Sequence, residues 1–271
     1  MKKIRDEIQT APFSLVLWGG GARGYAHIGV LRFLEEHSLK PAEIVGTSMG
    51  ACIGACAAVG MKAQEIQDIF QHTSFIKLLD IDITTGLVYG EKIRSFMSTL
   101  FSEKTIEKTT IPFRACATTL INGKTMVFKK WLVVNALRAS ISLPWLFSPY
   151  EIDGIEYVDG CLTANLPLEV ARYGQTIAVS VIKDTSTPID YTDSVLGITI
   201  PRNRLSLNRD IINRSLNIML QQQEDHMLKN TEKKVLLVRP AIQHIGVLSV
   251  EKIEEAVTLG YTTAKKILAH S

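Results

Sequence analysis

The chain has 271 residues, of which 46% are apolar and 21% charged, with a formal net charge of +3. That length buries a sizeable core, and that balance excludes a largely disordered or low-complexity chain. So small a charge supplies no basic face for nucleic acid, and no stretch approaches the roughly 20 apolar residues that cross a bilayer.

Residues 1–7 carry charge without an adjacent apolar run, so no signal peptide is expected and 1–13 reads as an N-terminal tail. Residues 14–18 form a short continuous apolar run, the pattern of a strand buried on both faces. A glycine cluster follows, then residues 25–37 place Ile28, Leu31 and Leu34 at helical spacing. Pro41 breaks the chain, and Ile44-Val45 makes a second short strand ending at Gly46. Residues 49–59 are apolar on every side, which marks a buried helix. Strand, helix, strand, helix is the opening of a parallel sheet covered by helices.

Further along, 63–72 and 91–100 read as helices, and 113–120 and 124–128 as strands joined by the Asn122-Gly123 turn. A helix is expected over 132–141. A second hairpin is expected around Asp153-Gly154, with a buried strand over 176–182. Residues 184–204, with Pro188, Pro201 and many Ser and Thr, read as a long surface loop. Ile212, Leu216, Met219, Leu220 and Met227 then fall on one face of a long helix, read as a core face. A strand over 235–238 and a C-terminal helix carrying Ile253, Ala256, Val257, Gly260, Tyr261, Ala264 and Ile267 complete one α/β domain over 14–271. Cys52, Cys56, Cys116 and Cys161 show neither zinc spacing nor a disulfide framework, so a reduced, cytoplasmic protein is expected.

Gly46-Thr47-Ser48-Met49-Gly50 has the form of a nucleophile elbow. Glycines on either side let a strand turn sharply into a helix, lifting the serine hydroxyl to a helix N-terminus where backbone N–H groups favour developing negative charge. The pentapeptide alone is weak; its position between an apolar strand and a buried helix is what the mechanism requires. Gly19-Gly20-Gly21-Ala22-Arg23-Gly24 satisfies the dinucleotide pattern G-x-G-x-x-G. However, the second strand ends in Gly46-Thr47-Ser48, where a ribose-binding carboxylate belongs. Bare backbone N–H groups offered to an oxyanion are the better reading, because loops after neighbouring parallel strands meet at one edge.

A serine needs a base. The histidines are His27, His37, His72, His226, His244 and His270; of the three after the serine, His244, in a loop after Pro240, is the least easily dismissed. Asp159-Gly160 is the better candidate, since burial can raise a carboxyl into a useful range. Asp-Gly is also a common turn pair, and composition alone does not separate Asp159 from Asp153.

Taken together, Gly19-Gly20-Gly21-Ala22-Arg23-Gly24, Gly46-Thr47-Ser48-Met49-Gly50 and Asp159-Gly160 resemble the patatin-like phospholipase family. The likeness extends through Tyr25-Ala26-His27-Ile28-Gly29-Val30-Leu31, Ala136-Leu137-Arg138-Ala139-Ser140 and Asn165-Leu166-Pro167, covering roughly residues 14–172. The resemblance implies a three-layer α/β fold with a mostly parallel central sheet between helices. It also implies a lipid acyl ester as substrate, with no metal or organic cofactor. Carried over by position, Ser48 is the nucleophile and Asp159 the proton acceptor. Gly19 to Gly24 form the oxyanion loop, with the Met49 N–H helping, and Gly46, Gly50 and Gly160 support the turns. Arg23 braces the glycine loop or adds positive potential.

The family pattern continues Asp-Gly-Gly or Asp-Gly-Ala, whereas this chain has Cys161, whose Cβ would be strained if the position required a positive φ. Trp145 and Phe147, close to Pro144, are candidates for an acyl groove or a peripheral membrane contact. Close alternatives in function are a carboxylesterase, a thioesterase or a transacylase with the same dyad; from another class, a catalytically weak member that binds lipid or a partner.

Overall fold

The computed structural model describes residues 11–81, 87–144, 146–182, 192–195, 198–201 and 204–268. Ten strands are described: β1 Ser14–Leu17, β2 Glu43–Thr47, β3 Phe113–Thr119, β4 Thr125–Phe128, β5 Tyr150–Ile152, β6 Ile155–Asp159, β7 Gln175–Val179, β8 Thr192–Val195, β9 Ile198–Pro201 and β10 Lys234–Val238. The helices are α1 Ala26–Glu36, α2 Met49–Ala58, α3 Ala63–His72, α4 Glu91–Phe101, α5 Val133–Ser140, α6 Cys161–Ala164, α7 Arg204–Asn230 and α8 Ile253–Leu268.

Eight strands form one sheet in the order β10-β7-β1-β2-β3-β6-β5, with β4 also paired to β3. The five strands from β10 to β3 run parallel, and β4, β5 and β6 are antiparallel additions at one end. Every residue of β1 and β2 is buried, the polar Ser14, Glu43 and Thr47 included. Side chains alternate across a strand, so Ile44, which meets Gly54 of α2, and Thr47, whose hydroxyl donates to the Ala164 carbonyl of α6, face opposite sides of the sheet. Helices α1, α2, α3 and α8 therefore form one layer, and α6 and α7 another. This is the three-layer arrangement expected, and β1-α1-β2 and β7-α7-β10 advance in opposite directions along the sheet with their helices on opposite faces, as crossovers of one hand require.

Helices α1 and α8 cross at glycines. A methyl group at Gly29 would sit 2.0 Å from the Val257 carbonyl oxygen, and one at Gly260 2.0 Å from that of Ala26. No rotamer relieves a clash with backbone, so the helices must separate to admit it. Gly260→Ala is expected to lower stability by about 3 kcal/mol, read from the urea midpoint at unchanged slope.

Two readings of the sequence require correction. The segment 184–204 is not all loop: its described residues include the hairpin β8–β9 and the first residue of α7. Pro201 and the Ser/Thr content mask the β-branched residues that pair there. The stripe on α7 is only partly core. Met227 is buried and Leu220 packs against the core, but Ile212 and Met219 are exposed, along with Ile211 and Ile218.

Candidate active site

The sheet brings Ser48 and Asp159 together although 111 residues separate them. Strand β2 pairs with residues 113–116 of β3, and β6 with residues 117–119. Strand β4 pairs with residues 115–118 and overlaps both, so it takes the opposite side of β3. Thus β2 and β6 lie end to end along one side, pointing at each other. Thr47 pairs with Cys116 and Asp159 with Ala117, adjacent positions on β3. The chain leaves β2 at Ser48 and leaves β6 at Gly160.

Ser48 has φ 54° and ψ −126°, a conformation that L-residues avoid, and it caps α2. The sharpness of the turn leaves no space beside it. A Cβ at Gly46 would meet the Gly50 carbonyl oxygen at 2.5 Å, and one at Gly50 the Leu17 carbonyl oxygen at 2.5 Å. A sharp strand-to-helix turn of this kind is the backbone that an elbow at Gly46-Thr47-Ser48-Met49-Gly50 requires. The Met49, Gly50 and Ala51 N–H groups belong to the first turn, ahead of the helical bond from the Cys52 N–H to the Ser48 carbonyl.

Asp159 is 1% exposed. Burial pushes its carboxyl up to about 6, opposed by donors: the Cys161 backbone N–H at 2.8 Å, the Ser48 hydroxyl and the Cys161 thiol. Asp153, the other Asp-Gly pair, is exposed with φ 52° in the tight turn between β5 and β6. Cys161 begins α6 with helical backbone and bears no strain; burial holds its thiol protonated, far above the usual range. The close approach falls one residue earlier, where a Cβ at Gly160 would meet the Cys116 carbonyl oxygen at 2.4 Å.

The glycine loop lies over the elbow. A Cβ at Gly19 would stand 3.0 Å from Ser48 Cβ, and one at Gly24 2.6 Å from Met49 Cγ. Its N–H groups are not equivalent: Gly19 donates to the Asn165 carbonyl at 3.2 Å and Ala22 to the Val247 carbonyl at 2.8 Å. Arg23 is buried over the Trp18 ring, reaches Asn217 of α7 at 3.4 Å, and is lowered to about 10 by desolvation. The Asn217 contact ties the glycine loop to α7. His27 is fully buried, with Nε2 2.8 Å from the Trp18 carbonyl oxygen, and burial pushes it down to about 4. It is neutral, so Nε2 carries the proton and fixes the strand end that enters the glycine loop.

Among the described residues no histidine bonds to Ser48 or Asp159. His244 pairs with Glu255 at 2.6 Å on the surface, His226 bonds Asn230, and His270 lies outside the described residues. Trp145 also lies outside them. Phe147 is a core residue under the Arg138 guanidinium, 5.3 Å from ring centre to Cζ, so it is not an interfacial side chain. Cys52, Cys56, Cys116 and Cys161 are free and buried. Sequence reading misses Gln223 and Val247 as parts of the site, and it meets Ser140 only as the last residue of a stretch that carries the family resemblance. It meets Asn165 only within the family resemblance; the Asn165 backbone N–H donates to Gln223 Oε1 of α7 at 3.0 Å.

The sequence pattern of the patatin-like phospholipase family matches residues 15–172, more than half of the chain. An uncharacterised NTE family protein of Mycobacterium tuberculosis is 38% identical over 175 residues, covering 62% of this chain and 48% of that protein. The lysophospholipase NTE1 of Saccharomyces cerevisiae is 31% identical over 268 residues, covering 91% of this chain and 16% of that protein. The chain thus spans about half or less of the length of these curated relatives. The crystal structure of VipD from Legionella pneumophila superposes with a TM-score of 0.58 at 13% identity, over 95% of this chain and 67% of that one, a likeness of fold. Among the described residues no helix is long and apolar enough to cross a membrane. With a family pattern spanning both the elbow and the Asp-Gly turn, the chain belongs to the patatin-like phospholipase family.

Proposed function

We propose that this chain is a lipid acyl hydrolase of the phospholipase A or lysophospholipase kind, working through a Ser48–Asp159 dyad. The observation that carries the reading is a strained elbow serine at the end of β2, beside the buried Asp159 carboxyl at the end of β6, which burial holds near 6. Asp159 takes the Ser48 proton as the oxygen attacks the ester carbonyl. The N–H groups of Gly20 and Gly21, with that of Met49 at the start of α2, hold the oxyanion. Asp159 returns the proton to the leaving alcohol, then activates the water that frees the fatty acid and regenerates Ser48. Because Asp159 must be ionised to accept a proton, activity falls as pH drops through about 6.

The family likeness and the lysophospholipase name of the yeast relative support a lipid substrate. The test is hydrolysis of p-nitrophenyl esters of increasing chain length beside phosphatidylcholine and lysophosphatidylcholine vesicles. Turnover that favours long chains and vesicles agrees with the proposal. Turnover confined to short soluble esters points to a carboxylesterase, and none at all to a binding protein.

Peripheral membrane contact from a cytoplasmic location is part of the proposal, and its support is the rim of the site. Leu162 follows the Asp-Gly turn, Val247 lies against the glycine loop, and Ile218 and Met219 are on the α7 segment between Asn217 and Gln223, which bind that loop and residues 162–165. All four are exposed, as is Leu248, with Met219 at 65% and Leu248 at 70%. Apolar side chains gathered around one mouth suit an acyl-chain surface. Interfacial binding strengthens with the apolar area buried in the membrane, and glutamate at two such positions removes much of it. The double variant Met219→Glu, Leu248→Glu is therefore expected to lose about tenfold on vesicles and under about twofold on a short soluble ester. Equal losses on both would remove the membrane role.

A further inference from the structure

Position 48 lies one step beyond the last paired residue of β2. In the parallel ladder with β3, the Ile44 N–H donates to the Pro112 carbonyl at 2.8 Å. Ladder donors recur every second residue, so positions 46 and 48 address the carbonyls of Arg114 and Cys116. At the elbow the chain turns away and that last rung does not form. The two backbone groups are nonetheless satisfied: the Ser48 N–H donates to Ser140 Oγ at 2.8 Å, and the Ser140 hydroxyl donates to the Cys116 carbonyl at 2.6 Å. A hydroxyl both accepts and donates, so it replaces the missing rung. Ser140 is wholly buried at the last residue of α5. Two residues later, the Ser142 carbonyl accepts the Asp159 N–H at 2.9 Å.

Resting on the hydrolase reading above, we infer that Ser140 is a positioning residue that locks Ser48 in its strained conformation and, through the same helix end, sets its distance to Asp159. Backbone outliers persist where surrounding contacts over-determine them, and the Ser140 bridge is such a contact. Its place explains why no local signal reveals it: 92 residues separate Ser140 from Ser48. Removing the hydroxyl frees Ser48 to relax toward ordinary φ, which spoils the attack geometry while the rim that binds substrate is untouched.

The test compares wild type, Ser140→Ala and the near-isosteric Ser140→Cys, whose thiol is a weaker donor and acceptor. Steady-state constants on a soluble p-nitrophenyl ester are measured beside the rate at which a fluorophosphonate labels Ser48. The final extent of labelling counts the folded, competent fraction. The expected result per competent molecule is a kcat lower by about 100-fold for alanine and about tenfold for cysteine, with KM within about twofold and labelling slowed in parallel. Wild-type kcat and labelling rates in the competent fraction of either variant would overturn the inference, as would a loss seen only in KM. If wild type neither turns over esters nor labels at Ser48, the hydrolase reading itself has failed. An active, Ser48-labelled wild type with unimpaired variants defeats the positioning role alone.

Discussion

Ser48→Ala is expected to lower ester turnover by at least about 10⁴-fold, with the fold intact. The Ser48 side chain is small, partly exposed and beside the Asp159 carboxyl, so alanine removes the nucleophile and little else. A further consequence follows from the elbow backbone. Serine holds φ 54° there at some cost, and alanine bears the same cost, so stability changes little. Turnover on a p-nitrophenyl ester and the thermal midpoint, measured on one preparation, check both statements. Residual activity above a hundredth of wild type would mean that the attacking group lies elsewhere.

Asp159→Asn is expected to cost about 10³-fold in kcat while making the protein more stable at neutral pH. Asparagine keeps the shape and still accepts the Cys161 N–H, but it takes no proton from Ser48. The stability gain follows from the raised carboxyl. A group held at about 6 when folded, against 3.8 for the free group, binds its proton more tightly in the folded state. The folded protein therefore loses stability as pH rises from about 4 to about 6, and above that range the ionised carboxyl costs the fold roughly 3 kcal/mol. Asparagine has no such penalty. The variant should melt several degrees higher than wild type at pH 8, with the gap closing toward pH 4. A variant less stable than wild type at pH 8 would place Asp159 in a structural ion pair rather than in a strained functional site.

Much of this site is legible in the text of the chain because its parts are local. A strand buried on both faces reads as an unbroken apolar run, and the turns that follow β1 and β2 need glycine where backbone meets backbone. Both glycine motifs therefore stand where the fold places them, at one edge of a parallel sheet. The choice between Asp153 and Asp159 is not legible, because an Asp-Gly pair serves equally as an exposed hairpin turn and as the end of a buried strand. Only the meeting of β2 and β6 along β3 separates them. Helical period identifies α7 but not its partner: periodicity says that one face is apolar, not whether protein covers it. Residues such as Ser140, Asn165 and Val247 act across distances that no spacing rule reaches. The positive φ that would have strained Cys161 is absent, and the tight approach falls one residue earlier, where Gly160 meets the Cys116 carbonyl.

The central claim is that Ser48 attacks with Asp159, and not a histidine, as its base. Fluorophosphonate labelling followed by intact and peptide mass spectrometry tests it most directly. The account predicts a single adduct on the peptide that contains Ser48, none in Ser48→Ala, wild-type labelling in His244→Gln, and labelling slowed at least about a hundredfold in Asp159→Asn. An adduct on another residue, or an Asp159→Asn variant that labels as fast as wild type, would contradict it.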